Sequence, residues 1–169
     1  MDKGEAQTVE DRVVIRLLDQ QFAFFHRRNC SLISTAPEDD IYRDPRRAEG
    51  RRLSVCENVL RSAAAIEQTF GGLTANLWDD PFEWTLPENL STAERIIEYL
   101  DEVEATRQRA FASFNRDRDL LKEIMVPAAK TRPLIDVLLE ALVRTAEYFG
   151  RAAATLSALA DSTTSESPS

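Results

Sequence analysis

The chain has 169 residues, a length that suits one domain, and its 43% hydrophobic content is enough to build a core and excludes global disorder. Its 29 acidic residues outnumber its 21 basic ones, which gives a formal net charge of −8. An acidic chain disfavours a nucleic-acid partner, because binding to phosphates needs a clustered positive surface.

The sequence also predicts the compartment. Apolar residues nowhere approach the roughly 20 in succession that a membrane span needs, and residues 1–5 lack the apolar core of a secretory signal. We therefore expect a cytoplasmic protein with no membrane partner. In a reducing compartment the two cysteines, Cys30 and Cys56, should stay unlinked.

A first helix is predicted from about residue 9 to residue 33, after a flexible segment at residues 1–8. Thr8 and Asp11 have the spacing of a variant capping box at its start. Apolar residues at helical spacing predict its buried stripe: Val14, Leu17, Leu18, Phe22, Phe25 and Leu32. Residues 36–52 are predicted to be a solvated loop, because no aromatic residue is interleaved with its arginines for stacking on bases.

Capping boxes of the form S-x-x-E predict the starts of two further helices, namely Ser54 with Glu57 and Ser91 with Glu94. The Gly71-Gly72 pair is predicted to end the second helix, since glycine favours helix C-termini. The third helix is expected to end near Asn115.

The fourth helix is predicted to begin at Thr131 and Pro133, because proline is tolerated in the first turn. Its inward-facing residues are spaced alternately by four and three, the pattern of left-handed bundle packing. They are Leu138, Leu142, Thr145, Phe149, Ala152, Leu156 and Leu159.

Four helical segments and no convincing strand predict an all-α, up-down four-helix bundle at residues 9–160. Its connections at residues 71–90 and 115–130 are long for a bundle, and a short helical turn is expected at Leu120–Met125. The polar composition of residues 161–169 predicts a disordered tail.

Residues able to bind metal or catalyse are few. The one histidine, His26, shares a helix face with Cys30 at i,i+4 spacing. Zinc needs at least a third protein ligand, so an ordinary packed face is the favoured interpretation, and we expect no cofactor. The acidic residues of the third helix lack a Glu-x-x-His pattern, and they are predicted to form a solvated face: Glu98, Asp101, Glu102 and Glu104.

The segment at residues 77–84 holds both tryptophans of the chain among three acidic residues. Large aromatic side chains mostly serve packing, so the favoured interpretation is that this segment covers the open end of the bundle. The alternative is an aromatic and acidic pocket for a cationic group.

In the order of its parts, the chain resembles the DinB-like (YfiT-like) superfamily of four-helix bundles over about residues 9–160. Residues 54–62 are similar to that family's S-x-x-E-x-x-x-H second helix, and residues 144–152 are similar to its H-x-x-x-H last helix. The resemblance implies an often dimeric bundle with a divalent metal on three histidines, and in some members a metal-dependent thiol transferase. Here the three ligand positions hold Arg61, Thr145 and Phe149, so the family's metal and its chemistry are not carried over.

Two functional hypotheses follow from this departure. The first is a DinB-like binding or assembly module without the family's metal site. The second is a transferase-like enzyme in which Arg61 replaces the metal and holds a small anionic ligand such as a thiolate, carboxylate or phosphate. Its pocket would combine Arg61 with Glu57, Thr145 and Phe149, and Glu57 precedes Arg61 by one helical turn.

Apolar residues outside the main stripes predict a two-fold homodimer, the commonest closed assembly. On the fourth helix they are Ile135, Leu139, Ala146 and Ala153, with Gly150 and Ala154 allowing close approach, and on the first helix they are Val13, Ile15 and Phe24.

Overall fold

The computed structural model describes residues 11–43, 53–81, 90–128 and 130–165. In chain order they form helices α1 (Val13–Thr35), α2 (Glu38–Ile41), α3 (Val55–Ala75) and α4 (Ala93–Ser113), a 3₁₀ helix (Asp117–Leu121), strands β1 (Glu123–Val126) and β2 (Lys130–Pro133), and helix α5 (Leu134–Ser165). The predominance of helix confirms the predicted class. None of the helices in these ranges is long and apolar enough to span a membrane.

The core consists of two apolar clusters, one toward each end of the long helices. The first contains Ile15, Leu18, Phe22, Ile66, Phe70, Val103, Ala110, Phe111, Leu120, Leu134, Leu138 and Ala141. The second contains Leu32, Ile33, Ile41, Val55, Cys56, Val59, Leu60, Ala63, Ile96, Leu100, Ala152 and Leu159. Helices α3 and α4 both bring their C-terminal halves to the first cluster, so they run in the same direction, opposite to α1 and α5. A strictly alternating up-down order is therefore wrong, since the end of α3 and the start of α4 lie toward opposite ends of the core.

Helix α1 begins where an acidic side chain from another part of the chain caps it. The carboxylate of Asp117 accepts hydrogen bonds from the backbone N–H groups of Val14 and Ile15, each at 2.9 Å. The predicted buried stripe of α1 is wrong at its N-terminal end, because Ile15 is 1% exposed whereas Val14 and Leu17 face solvent. The predicted Thr8 cap lies outside the described residues.

Helix α3 begins with the predicted capping box. The Ser54 hydroxyl accepts from the Glu57 N–H at 3.1 Å, and the Glu57 carboxylate accepts from the Ser54 N–H at 2.8 Å. Helix α4 is instead capped by Thr92, whose hydroxyl accepts from the Arg95 N–H at 3.3 Å, so the prediction of Ser91 as its cap is wrong by one residue. Helix α4 ends at Ser113, two residues before the predicted end near residue 115.

Removal of the α3 cap should be measurable. We expect Ser54→Ala to lower the free energy of unfolding by about 1 kcal/mol, because the Glu57 N–H loses its acceptor. The measurement is urea unfolding followed by circular dichroism. Ser91→Ala is the matched control, since Ser91 is exposed and Thr92 caps α4, and equal losses in both variants would contradict the assignment of the cap.

The prediction that Gly71 and Gly72 end α3 is wrong. The helix continues to Ala75 and ends at Asn76, which adopts the left-handed conformation with φ 57°. Gly72 serves a different purpose, because the indole ring of Trp78 folds back onto the helix there. A Cβ atom at position 72 would lie within 3.0 Å of three indole atoms.

We expect Gly72→Ala to displace Trp78 from α3. The gain in helix propensity, about 1 kcal/mol, is opposed by overpacking that typically costs about 1–3 kcal/mol, so the variant should be less stable than the parent and its tryptophan fluorescence should change. Gly150→Ala on α5 is the control for the fluorescence, which it should leave unchanged, because a Cβ there meets no atom of the chain within 4 Å. An unchanged fluorescence spectrum in Gly72→Ala would refute the contact.

The connection before α5 contains an unpredicted β-hairpin. Strands β1 and β2 pair antiparallel, with Glu123 opposite Pro133 and Val126 opposite Lys130. Proline is tolerated at this strand end, where the ladder does not need its missing N–H. The prediction that α5 begins at Thr131 and Pro133 is therefore wrong, since both residues belong to β2 and the helix begins at Leu134. The helical turn expected at Leu120–Met125 is present only as the 3₁₀ helix that ends at Leu121.

Two other predicted boundaries also shift. Within the predicted loop at residues 36–52, Glu38–Ile41 form the short helix α2, and residues 44–52 lie outside the described residues. Helix α5 extends through Ser165, five residues past the predicted end of the bundle.

Candidate functional site

A polar cleft of about 580 Å³ lies between α1 and α4. The residues that line it are Asp19, Ala23, His26, Arg27, Asp101, Glu104, Ala105, Arg107 and Gln108. Each of them lies three or four residues from another lining residue of the same helix, so each helix presents one mostly polar face to the cleft. The two polar faces border the same cleft.

The wall of the cleft is fixed by a buried ion pair. Arg107 is only 1% exposed, and it donates two parallel hydrogen bonds to the Glu104 carboxylate at 2.6 and 2.7 Å. Its third nitrogen binds the side chain of Asp19 on α1, and Gln108 donates to Glu104 at 2.9 Å. The network links α1 to α4 and compensates a charge that would otherwise be costly to bury.

The prediction that Glu104 lies on a solvated face is wrong. It is 8% exposed. Burial raises the pKa of its carboxyl group, but the hydrogen bonds and positive charge of Arg107 outweigh burial and hold the pKa below its usual value.

Three side chains with metal-binding chemistry come together beside the cleft, and we call them the trio: His26 and Asp101, which line the cleft, and Cys30, one turn along α1 from His26. The Nε2 atom of His26 lies 3.3 Å from Oδ1 of Asp101. The Cys30 sulfur lies 3.8 Å from Nε2 and 3.9 Å from Nδ1 of the same ring. One ligand atom from each residue lies within 4.8 Å of the others, so α4 supplies the third residue that the α1 spacing alone lacked.

The thiols are not activated nucleophiles in this arrangement. Burial, followed by the charges of Asp101 and Glu104, raises the pKa of Cys30 to about 11. Burial in the core raises the pKa of Cys56 to about 12. Both thiols are therefore protonated at neutral pH, whereas catalytic cysteines have lowered pKa values. Neither cysteine is in a disulfide, as predicted.

The four predicted pocket residues do not line the cleft. Glu57 completes the α3 capping box. Thr145 is fully buried and reciprocally bonded to Ser62: the Ser62 hydroxyl donates to the Thr145 carbonyl at 3.0 Å, and the Thr145 hydroxyl donates to the Ser62 carbonyl at 3.4 Å. Arg61 is half-buried on α3, next to Ser62 in sequence.

Phe149 packs against α1. Its ring centroid lies 5.8 Å from that of Phe25, and the guanidinium of Arg28 lies 5.3 Å from its centre. A phenyl ring and the guanidinium of Arg61 offer no lone pair to a divalent cation, and the Thr145 hydroxyl is bonded to a carbonyl. The side chains at these three positions therefore do not fit the metal that the DinB-like resemblance implies.

Of the aromatic and acidic segment, the structure describes residues 77–81. Gln68 donates to the Trp78 carbonyl at 2.8 Å, and the Trp78 indole N–H donates to the Asn76 side chain at 3.2 Å. Trp78 is thus attached to the end of α3. Residues 82–84, which the alternative cation pocket also requires, lie outside the described residues.

Comparison with known proteins provides no family for this chain. No protein-family model matches it, and no curated protein or solved structure matches it. The DinB-like resemblance therefore stays a proposal.

Proposed function

We propose that this protein is a binding module whose ligand enters the cleft between α1 and α4 and carries positive charge. The observation that supports the proposal most is the Asp101 carboxylate, which is 63% exposed and lies beside His26 at the cleft wall. A second carboxylate, that of Asp19, is partly exposed there. The lining holds three carboxylates, of Asp19, Asp101 and Glu104, against two guanidiniums, of Arg27 and Arg107. Glu104 and Asp19 engage Arg107, so the cleft has an excess of negative charge.

The charge preference can be tested by titrating the full chain with putrescine, a small organic cation, and with inorganic phosphate. We expect putrescine to shift the backbone NMR signals of α1 and α4 residues around the cleft. Asp101→Asn should weaken this binding, whereas Glu98→Gln, an exposed acidic residue on the same helix, should not. Cleft signals that respond to phosphate and not to putrescine would contradict the proposal.

The same titration addresses the alternative function, a transferase-like enzyme in which Arg61 holds an anion. Phosphate-induced shifts centred on Arg61 and Thr145 would favour it, because a guanidinium binds oxyanions through charge-assisted hydrogen bonds. Arg61→Ala is the matched variant: it should leave the putrescine shifts unchanged if the cleft is the working site.

We also propose that the fold is a DinB-like four-helix bundle and that the protein lies in the reducing cytoplasm, where two unlinked thiols are usual.

We also propose a homodimer. Val13, Phe24 and Leu139 are exposed apolar residues, and Gly150 leaves open space on α5. Ile15, which the sequence analysis placed on the dimer surface, is instead buried in the core of the single chain.

The dimer should appear in sedimentation equilibrium at low micromolar concentration, with twice the 19.1-kDa chain mass. Phe24→Glu should shift the equilibrium to monomer, because a buried unpaired charge opposes association. Met125→Glu, a change at an exposed apolar residue of β1, is the control and should not. A single 19-kDa species of the parent protein would reject the dimer.

A further inference from the structure

Two helices meet at the trio, and its side chains are a thiol, an imidazole and a carboxylate. We propose that His26, Cys30 and Asp101 bind a divalent transition-metal ion of the zinc type, with its remaining coordination position open to the cleft. This inference rests on the proposed function, since it names the cation that the cleft takes. No resemblance to a known family assigns a metal to these positions.

The spacing of the three residues fits such an ion. Zinc takes sulfur, nitrogen and oxygen ligands at about 2.0–2.3 Å in a tetrahedral arrangement, so neighbouring ligand atoms lie about 3.3–3.8 Å apart. The distance from His26 Nε2 to Asp101 Oδ1 is 3.3 Å, and that from the Cys30 sulfur to the same nitrogen is 3.8 Å. The third pair of ligand atoms, the Cys30 sulfur and an Asp101 carboxylate oxygen, lies within 4.8 Å, so the ligands have to approach one another by no more than about 1–1.5 Å to reach the tetrahedral separation.

The helices hold these positions before any ion binds. His26 and Cys30 lie one turn apart on α1, which fixes their separation. The Arg107 network joins the same two helices beside the trio, so Asp101 on α4 is kept opposite them. Preorganised ligands lose little entropy on binding an ion.

The composition of the trio selects the class of ion. Thiolate and imidazole ligands favour zinc and related transition metals, whereas magnesium and calcium prefer oxygen ligands alone. On binding, the Cys30 thiol releases its proton to solvent and the sulfur bonds to the metal. With one thiolate and one carboxylate, the ligand set carries two negative charges and neutralises a divalent ion. Three protein ligands leave a position for water or a further ligand, as in open rather than closed zinc sites.

The test uses the full chain, reduced and without an affinity tag, titrated with Co²⁺ as a spectroscopic substitute for zinc. We expect one equivalent to bind, with visible absorption and a thiolate-to-cobalt charge-transfer band, and Zn²⁺ to displace it. Cys30→Ser should abolish the charge-transfer band. Cys56→Ser, which changes the other thiol of the chain, should keep it. Circular dichroism of each variant verifies the fold, and Cys30→Ala provides a second replacement.

The two remaining ligands are tested by affinity. His26→Gln and Asp101→Asn should each weaken Co²⁺ binding by more than the roughly 10–100-fold that is typical of outer-shell partners, while Glu98→Gln should leave it unchanged. Absence of Co²⁺ binding, or a charge-transfer band that survives Cys30→Ser, would overturn the metal site. Putrescine binding without Co²⁺ binding would reject the metal and keep the cation cleft, whereas failure of both ligands would reject the proposed function as well.

Discussion

Arg107→Ala is expected to lower the free energy of unfolding by about 3–5 kcal/mol, since removal of one partner from a buried ion pair leaves the other charge uncompensated. Arg107 provides both hydrogen bonds that neutralise Glu104, and it also binds Asp19 across the interface of α1 and α4. Its guanidinium lies 5.3 Å from the centre of the Phe111 ring, so its loss also removes packing from the core. Urea unfolding at neutral pH measures the change.

The matched control is Arg109→Ala on the same helix. Arg109 is exposed and donates one hydrogen bond to the Thr106 hydroxyl at 3.0 Å, so its replacement should change stability by no more than about 0.5 kcal/mol. The double variant Arg107→Met with Glu104→Met should recover much of the loss, because it removes the uncompensated charge together with its partner. A loss below about 1 kcal/mol in Arg107→Ala would contradict the assigned network.

The same network predicts a dependence on pH. The pKa of Glu104 is lower in the folded chain than in the unfolded chain, so its ionised form stabilises the fold. This contribution is fully present above the ordinary glutamate pKa of about 4.3 and is lost as the pH falls through the lower folded value. The stability difference between the parent protein and Glu104→Gln should therefore shrink in that acidic range.

The parts of the fold that depend on neighbouring residues were predictable from the sequence. The capping box of Ser54 and Glu57 requires only three residues of spacing, and it is present as predicted. The inward-facing residues of α5 also follow from local spacing, and Leu138, Thr145 and Ala152 are each fully buried. Each of these features is determined within one helix.

The rest depends on contacts between distant segments, which spacing does not reveal. From its neighbours alone Gly72 is predicted to end α3, whereas in the structure it makes room for the indole ring of Trp78. Arg107 and Glu104 resemble an exposed i,i+3 pair until Asp19 joins them from α1. The candidate site was missed for the same reason, since Asp101 reaches His26 only when α4 packs against α1. The one available signal was the i,i+4 spacing of the chain's one histidine and a cysteine.

Phe22→Ala is expected to cost about 3–5 kcal/mol, the range for truncation of a large buried aromatic side chain. Phe22 is 0% exposed, and its ring centroid lies 5.4 Å from that of Phe70 and 5.8 Å from that of Phe111. These three rings join α1, α3 and α4 in the first core cluster. The small alanine side chain leaves a cavity that such a packed cluster fills only in part, so the loss includes both transfer and cavity energy.

Leu17→Ala gives the decisive comparison, because the apolar spacing of α1 assigns Leu17 and Phe22 to the same buried stripe. The structure leaves Leu17 52% exposed, so its truncation should cost no more than about 0.5 kcal/mol. Phe22→Leu should fall between the two, since it keeps most of the apolar volume. Urea unfolding of all three variants at one chain concentration measures the series. A loss of about 2–5 kcal/mol in Leu17→Ala, the range for a buried leucine, would mean that α1 is rotated, and that the face carrying Asp19, His26 and Cys30 does not meet α4 as described.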